Sequence, residues 1–142
     1  MLGPHLILDC YGCDKERLND QKFILKFLDD LVKEIKMKKI SEPQCVNYPG
    51  NPDSFDNGGI SAVVLIAESH ISVHTWPENG GYASIDIFSC KPFDIEKTIG
   101  FTLERLNPKK IEKKLMTRGR EFPKDVKKAV KIVEKQRRTF SQ

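Results

Sequence analysis

A chain of 142 residues that is 39% hydrophobic and 31% charged has length for one real core and reads as a single soluble domain over residues 1–142. No run approaches the roughly 18 apolar residues a membrane helix needs, and no basic segment followed by an apolar stretch opens the chain, so the expected location is cytoplasmic with no membrane partner. The net charge is +4, and the four cysteines (Cys10, Cys13, Cys45, Cys90) are expected to be thiols in such a setting.

His5 to Tyr11 is a short apolar run bounded by Gly3-Pro4 and Gly12, and it predicts a first strand. Asp20 is placed to cap a helix from about Gln21 to Met37, with Ile24, Phe27, Leu28, Leu31 and Ile35 on one face. Ile40 to Asn47 predicts a second strand, which Pro43 confines to an edge or a bulge. The segment from Tyr48 to Gly59 is dense in Pro, Gly and Asn and predicts a loop, with Phe55 its one large aromatic besides Tyr48. Ile60 to Ala67 is a continuous apolar run broken only by Ser61, and predicts a buried strand.

Ser69 to Thr75 alternates. Ile71, Val73 and Thr75 share a side with Ser69, while His70, Ser72 and His74 point the other way. Two imidazoles and a hydroxyl along one strand face mark a polar groove or an interface rather than a plain solvated strand. A turn at Pro77 to Gly81 leads to another strand, Tyr82 to Ser89. Asp94 is placed to cap a helix from Ile95 to Leu106, with Ile95, Ile99 and Leu103 as its stripe, and Asn107-Pro108 stops it. Lys109 to Thr117 predicts a last strand, and Pro123 to Lys135 a third helix with Val126, Val130 and Val133 inward.

The fold class that follows is α+β: a two-layer α/β sandwich with a mainly antiparallel sheet and helices on one face. No predicted element is left to cover the His70, Ser72 and His74 row, so that face is expected to pair with a second copy. The Lys- and Arg-rich segment from Lys109 onward invites a nucleic-acid reading. It has no aromatic interleaving and no known module, so a solvated helix face is preferred and no nucleic-acid partner is expected.

Glu68-Ser69-His70, then His74-Thr75-Trp76-Pro77-Glu78, then Tyr82-Ala83 and Asp86-Ile87-Phe88 leading to Cys90, form a long ordered pattern. With Ser61 and the opening strand included, the chain from about residue 3 to 118 resembles the prokaryotic S-adenosylmethionine decarboxylase proenzymes. That resemblance implies self-cleavage between Glu68 and Ser69 into residues 1–68 and 69–142. It implies a pyruvoyl cofactor made from Ser69, an electron sink that holds the substrate amine as a Schiff base. It also implies a homodimer of two sandwiches, and a role in polyamine (spermidine) synthesis.

The same resemblance assigns roles. His74 is the processing base, a task that suits a group titrating near neutrality. Ser61 is the second processing hydroxyl, although a serine in an apolar strand is ordinarily just satisfied by backbone. Cys90 is the proton donor in decarboxylation, where a lone cysteine would otherwise be core. Phe55 is the adenine-stacking aromatic, and Trp76 and Glu78 fall at the substrate site, Glu78 as an acceptor for ribose hydroxyls. His70 supports local geometry. The chain departs from the pattern in three places: the turn Glu78-Asn79-Gly80-Gly81-Tyr82 is one residue longer, with Asn79 where an aromatic is common; Lys91 stands where glycine is common; and the segment from about Gly119 has no counterpart.

Two other functions fit the residues less well. The same machinery acting on arginine or ornithine would have no use for aromatics that stack a flat base. A non-enzymatic metal protein built on His70, His74, Glu78 and Cys90 has suitable zinc ligands but no known zinc spacing, and Cys10 and Cys13 lack a second pair; no metal is expected.

Overall fold

The first strand, β1 (Gly3–Tyr11), alternates so that Leu6, Leu8 and Cys10 are buried while His5, Ile7, Asp9 and Tyr11 line the opposite side. The computed structural model describes residues 3–119 together with 130, 131, 133–135, 137 and 138. After β1 come α1 (Lys15–Leu18), α2 (Gln21–Glu34), β2 (Gln44–Tyr48), β3 (Gly59–Ile66), β4 (Ser69–Trp76), β5 (Tyr82–Ser89), α3 (Ile95–Leu106) and β6 (Lys110–Arg118). The six strands form one sheet in the order β2-β3-β4-β5-β1-β6, and every pairing between neighbours is antiparallel.

The expected two-layer α+β arrangement is present. The apolar face of α2 (Ile24, Phe27, Leu28, Leu31, Val32) packs with Leu6, Leu8, Ile60, Val64, Ile71, Val73, Ile85 and Ile87 of the sheet into one core. Each such side chain taken fully from water contributes about 1.5–3 kcal/mol. Asp20 caps α2 through Phe23 N–H (3.2 Å), and Asp94 caps α3 through Lys97 N–H (3.0 Å). Buried Thr75 ties the layers together: its Oγ1 donates to the Leu18 carbonyl at 2.9 Å and accepts from Ile60 N–H at 3.0 Å.

Several details differ from the sequence expectations. The short helix α1 was not foreseen; it forms because Asp14 caps Glu16 and Arg17 N–H. Helix α2 stops at Glu34, three residues short of Met37, because Ile35 caps it and Lys36 turns to φ +58°. The second strand starts at Gln44 and not Ile40, beyond Pro43, and only an isolated bridge from Lys39 to Ile66 precedes it. The run Ile60 to Ala67 is not buried throughout: Val63 and Leu65 are exposed, because no described element covers that side of β3. In α3 the buried residues are Thr98, Ile99, Thr102 and Leu106, and Leu103 is exposed. In the C-terminal segment Val130 and Val133 are helical but exposed and not inward, and Val126 lies outside the described residues.

The strand register defines the sheet's second face. It carries Val46 of β2, Ser61, Val63 and Leu65 of β3, His70, Ser72, His74 and Trp76 of β4, Tyr82, Ser84, Asp86 and Phe88 of β5, and Met116 and Arg118 of β6. Among the described residues no helix packs on this face. No helix among them is long and apolar enough to cross a membrane.

Candidate active site

β3 and β4 are joined by a tight hairpin whose two linking residues are Ala67 and Glu68, so Ser69 is the first residue after the turn. Ser69 has φ +155°, a region that side chains other than glycine's rarely adopt and that costs about 1–3 kcal/mol. Neighbouring backbone holds it there. Ala67 N–H donates to the Lys38 carbonyl (2.7 Å), Lys38 N–H donates to Glu68 Oε1 (3.1 Å), and Cys90 N–H donates to the Glu68 carbonyl (2.8 Å).

That last contact has chemical weight. The Glu68 carbonyl belongs to the peptide bond ahead of Ser69, and an N–H aimed at it polarises it as an oxyanion donor does. The Ser69 Oγ lies 3.2 Å from His70 Nδ1. Register pairs Ser69 with Ser89, so Cys90 is the next residue along, exposed beside a cleft of about 370 Å³ lined by Gly3, Pro4, Pro92, Phe93, Ile95 and Thr117. Gly3 is required at this spot, since a Cβ on it would collide with the Ser89 carbonyl.

The second group of site residues sits at the other end of β4. Ser61 Oγ and His74 Nδ1 are 2.8 Å apart, directly opposite one another in the β3–β4 register. Trp76 stacks on Tyr82 at 5.1 Å, and Tyr82 stacks in turn on Tyr11 at 5.3 Å. Burial and the Asp9 carboxylate push the Tyr82 phenol up, so it stays protonated and donates to Asp9 at 2.6 Å. Phe55 is 80% exposed in the loop between β2 and β3, and Glu78 pairs with Lys15 at 2.6 Å. Five residues of strand separate Ser69 from His74, about 16 Å at roughly 3.3 Å per residue. Within one chain, the site residues therefore form two clusters: Glu68, Ser69 and Cys90 at one end, and Ser61, His74, Trp76, Phe55 and Glu78 at the other.

His70 is the imidazole within reach of Ser69, its Nδ1 3.2 Å from the Ser69 Oγ. Burial, reinforced by the charges of His5 and Arg118, holds its pKa below the ordinary 6.5. The folded state thus prefers neutral His70, so its contribution to stability is full above the unfolded pKa and is lost as pH falls through the folded one. Thermal melts of the uncleaved Ser69→Ala chain should show falling stability below about pH 6.5, and His70→Gln should flatten that fall. An identical pH profile in both would contradict this role.

The four residues offered for a metal do not converge. His70 faces Ser69, His74 faces Ser61, Glu78 pairs with Lys15, and Cys90 borders the apolar cleft. Among the described residues no group of three or more His, Cys, Asp and Glu could hold a metal ion. Lys91 turns its ammonium to the Lys36 carbonyl (3.1 Å), away from the Cys90 cleft. No local sequence pattern points to the Cys90 N–H contact, because it depends on register. The Ser69–His70 contact did carry a signal, the adjacency of the two residues.

The sequence model of the S-adenosylmethionine decarboxylase family matches residues 4–119. A relative from Aquifex aeolicus, named S-adenosylmethionine decarboxylase proenzyme, is 37% identical over 119 residues, covering 83% of this chain and 82% of its own length. One of the same name from Methanococcus vannielii is 41% identical over 112 residues, covering 78% and 84%. A crystal structure of the adenosylmethionine decarboxylase from Aquifex aeolicus superposes with a TM-score of 0.68 at 35% identity, over 83% of this chain and 91% of that one. These matches make the chain a decarboxylase, a carboxy-lyase. The chain belongs to the S-adenosylmethionine decarboxylase family.

Proposed function

We propose that this chain is a proenzyme that cuts itself between Glu68 and Ser69, and that the product, a cytoplasmic homodimer with a pyruvoyl group at residue 69, decarboxylates S-adenosylmethionine to supply aminopropyl groups for polyamine synthesis. The observation that carries the reading is Ser69 itself, held at φ +155° behind a carbonyl that already accepts a hydrogen bond from Cys90 N–H. Neither nucleic acid nor membrane enters it.

Processing follows from these groups. Ser69 Oγ attacks the Glu68 carbonyl carbon, its proton passing by way of neutral His70 to the departing amide nitrogen, while Cys90 N–H stabilises the negative charge developing on the Glu68 carbonyl oxygen. The C–N bond breaks and a C–O ester bond forms. A base then removes the Cα proton of residue 69, the Cβ–O bond breaks, and the Glu68 carboxylate leaves with residues 1–68. Water hydrolyses the resulting enamine nitrogen to a ketone and ammonia. The residues fit the group formed, since residue 69 borders Cys90 and its open cleft. The ketone supplies an electron sink for decarboxylation. Cys90 would donate the proton that replaces the lost carboxyl, and Phe55, Trp76 and Glu78 would bind the adenosine.

One chain does not bring His74 to Ser69, and a second copy does. Apolar side chains stand exposed on the open sheet face: Val46, Val63, Leu65 and Met116. Pairing two such faces about a two-fold axis that lies between them and across the strands sets the Ser69 end of one β4 over the His74 end of the other. Ser61 and His74 then act as processing hydroxyl and base on the partner's residue 69, and Phe55, Trp76 and Glu78 serve the same combined site.

Release of labelled carbon dioxide from S-adenosylmethionine, arginine and ornithine, measured side by side on the cleaved protein, tests the substrate. S-adenosylmethionine should react roughly 100-fold faster or more in kcat/KM, because the amino acids leave the aromatic and ribose contacts unmade. Equal or faster release from arginine or ornithine would overturn the assignment.

A further inference from the structure

The longer turn between β4 and β5 places Asn79 against the loop that carries Phe55. Its Nδ2 donates to the Phe55 carbonyl at 2.7 Å, and its Oδ1 accepts from Asn57 N–H at 3.0 Å. Its own backbone is fixed, with Asn79 N–H donating to the Trp76 carbonyl at 3.2 Å. Gly80 and Gly81 follow at φ +75° and +69°, and this left-handed pair lets the chain return to Tyr82 after the extra residue. The loop has other ties: Asn51 N–H reaches the Asp56 carbonyl at 2.9 Å, and Asp56 Oδ1 accepts from Gly58 N–H at 2.8 Å. These bonds are internal to the loop and do not fix it to the sheet. Asn79 fixes it from outside, reaching back 22 and 24 residues.

We propose that Asn79 is a positioning residue that clamps the Phe55 loop to the Trp76 end of β4, holding the Phe55 ring ready to stack on the substrate's adenine. The inference rests on the reading of Phe55 given above. The chemistry is specific to a side-chain amide, which offers a donor and an acceptor side by side to a carbonyl and an N–H two residues apart. An aromatic ring at this position could pack on the loop but could satisfy neither group. Without the clamp, an exposed ring on a glycine- and proline-rich loop must be ordered at the moment of binding, and affinity falls accordingly. The bond-making groups at residue 69 and Cys90 are untouched, so the loss belongs in KM.

The test uses the full-length cleaved protein. Asn79→Ala should raise KM for S-adenosylmethionine roughly 5- to 10-fold with kcat within about twofold of the parent, and should cleave itself as the parent does. Asn79→Gln, which keeps donor and acceptor one methylene further out, should recover part of the loss. On a Phe55→Ala background, Asn79→Ala should add less than about twofold, since the ring it positions is gone. Hydrogen exchange at the Asn57 amide should be at least about tenfold faster in Asn79→Ala. An unchanged KM, a loss confined to kcat, or a full further loss on the Phe55→Ala background would overturn the proposal. If the parent protein released no carbon dioxide from S-adenosylmethionine, the functional reading would fall, and exchange at Asn57 would still decide the clamp: faster exchange upholds it and unchanged exchange removes it.

Discussion

Ser69→Ala should remain a single uncut polypeptide and lose decarboxylation by at least about 10⁴-fold, because the only source of the electron sink has been removed. The effect is expected to be chemical and not a failure to fold. Ser69 is partly exposed at the tip of a hairpin, and among the described residues its Oγ has one hydrogen-bond partner, His70 Nδ1. Alanine keeps the Cβ and loses one hydrogen bond worth about 1 kcal/mol, so the melting temperature should move by only a few degrees. Denaturing electrophoresis, a thermal melt and a carbon dioxide assay on one preparation separate the two explanations. A chain that was still cut, or one that was uncut yet active, would contradict the role given to Ser69.

Co-expression of a Ser69→Ala chain with a His74→Ala chain should restore cleavage that neither variant shows alone. If the base and hydroxyl act across the dimer, a mixed dimer has one complete site, made of Ser69 from the His74→Ala chain and His74 from the Ser69→Ala chain. Random pairing makes half the dimers mixed, and one chain in each is cut, so about a quarter of all chains should be cleaved. The physical basis is the strand itself: about 16 Å of backbone separates the two residues within a protomer, well beyond any single proton transfer. Cleavage of the His74→Ala chain on its own at the normal rate would show that a base within the same chain suffices, and His70 would then be the candidate.

Much of this was legible in the sequence, and for identifiable reasons. Asp20 and Asp94 announced the starts of α2 and α3, because a capping carboxylate must precede the first turn. The alternation of Ile71, Val73 and Thr75 against His70, Ser72 and His74 gave the two faces of β4 correctly, because a strand has no other way to distribute its side chains. The buried side of α3 was misjudged at Leu103, since a stripe read from apolar residues alone overlooks Thr98 and Thr102, whose hydroxyls are satisfied by carbonyls one turn back. The run Ile60 to Ala67 misleads for a related reason: Val63 and Leu65 are apolar on a face that no described element covers, and an apolar residue suits an interface as well as a core. For the candidate site, local pattern offers residues but no arrangement. Distances between Ser69 and His74, and the contacts of Asn79 and of Cys90 N–H, depend on register and turn geometry that no local pattern carries.

Intact-mass measurement of the purified wild-type protein tests the central claim most directly. The expected result is two polypeptides, residues 1–68 ending in a free carboxylate and residues 69–142 beginning with a keto group in place of the serine amine. A single 142-residue mass, or a second fragment that begins with an ordinary serine, would contradict it.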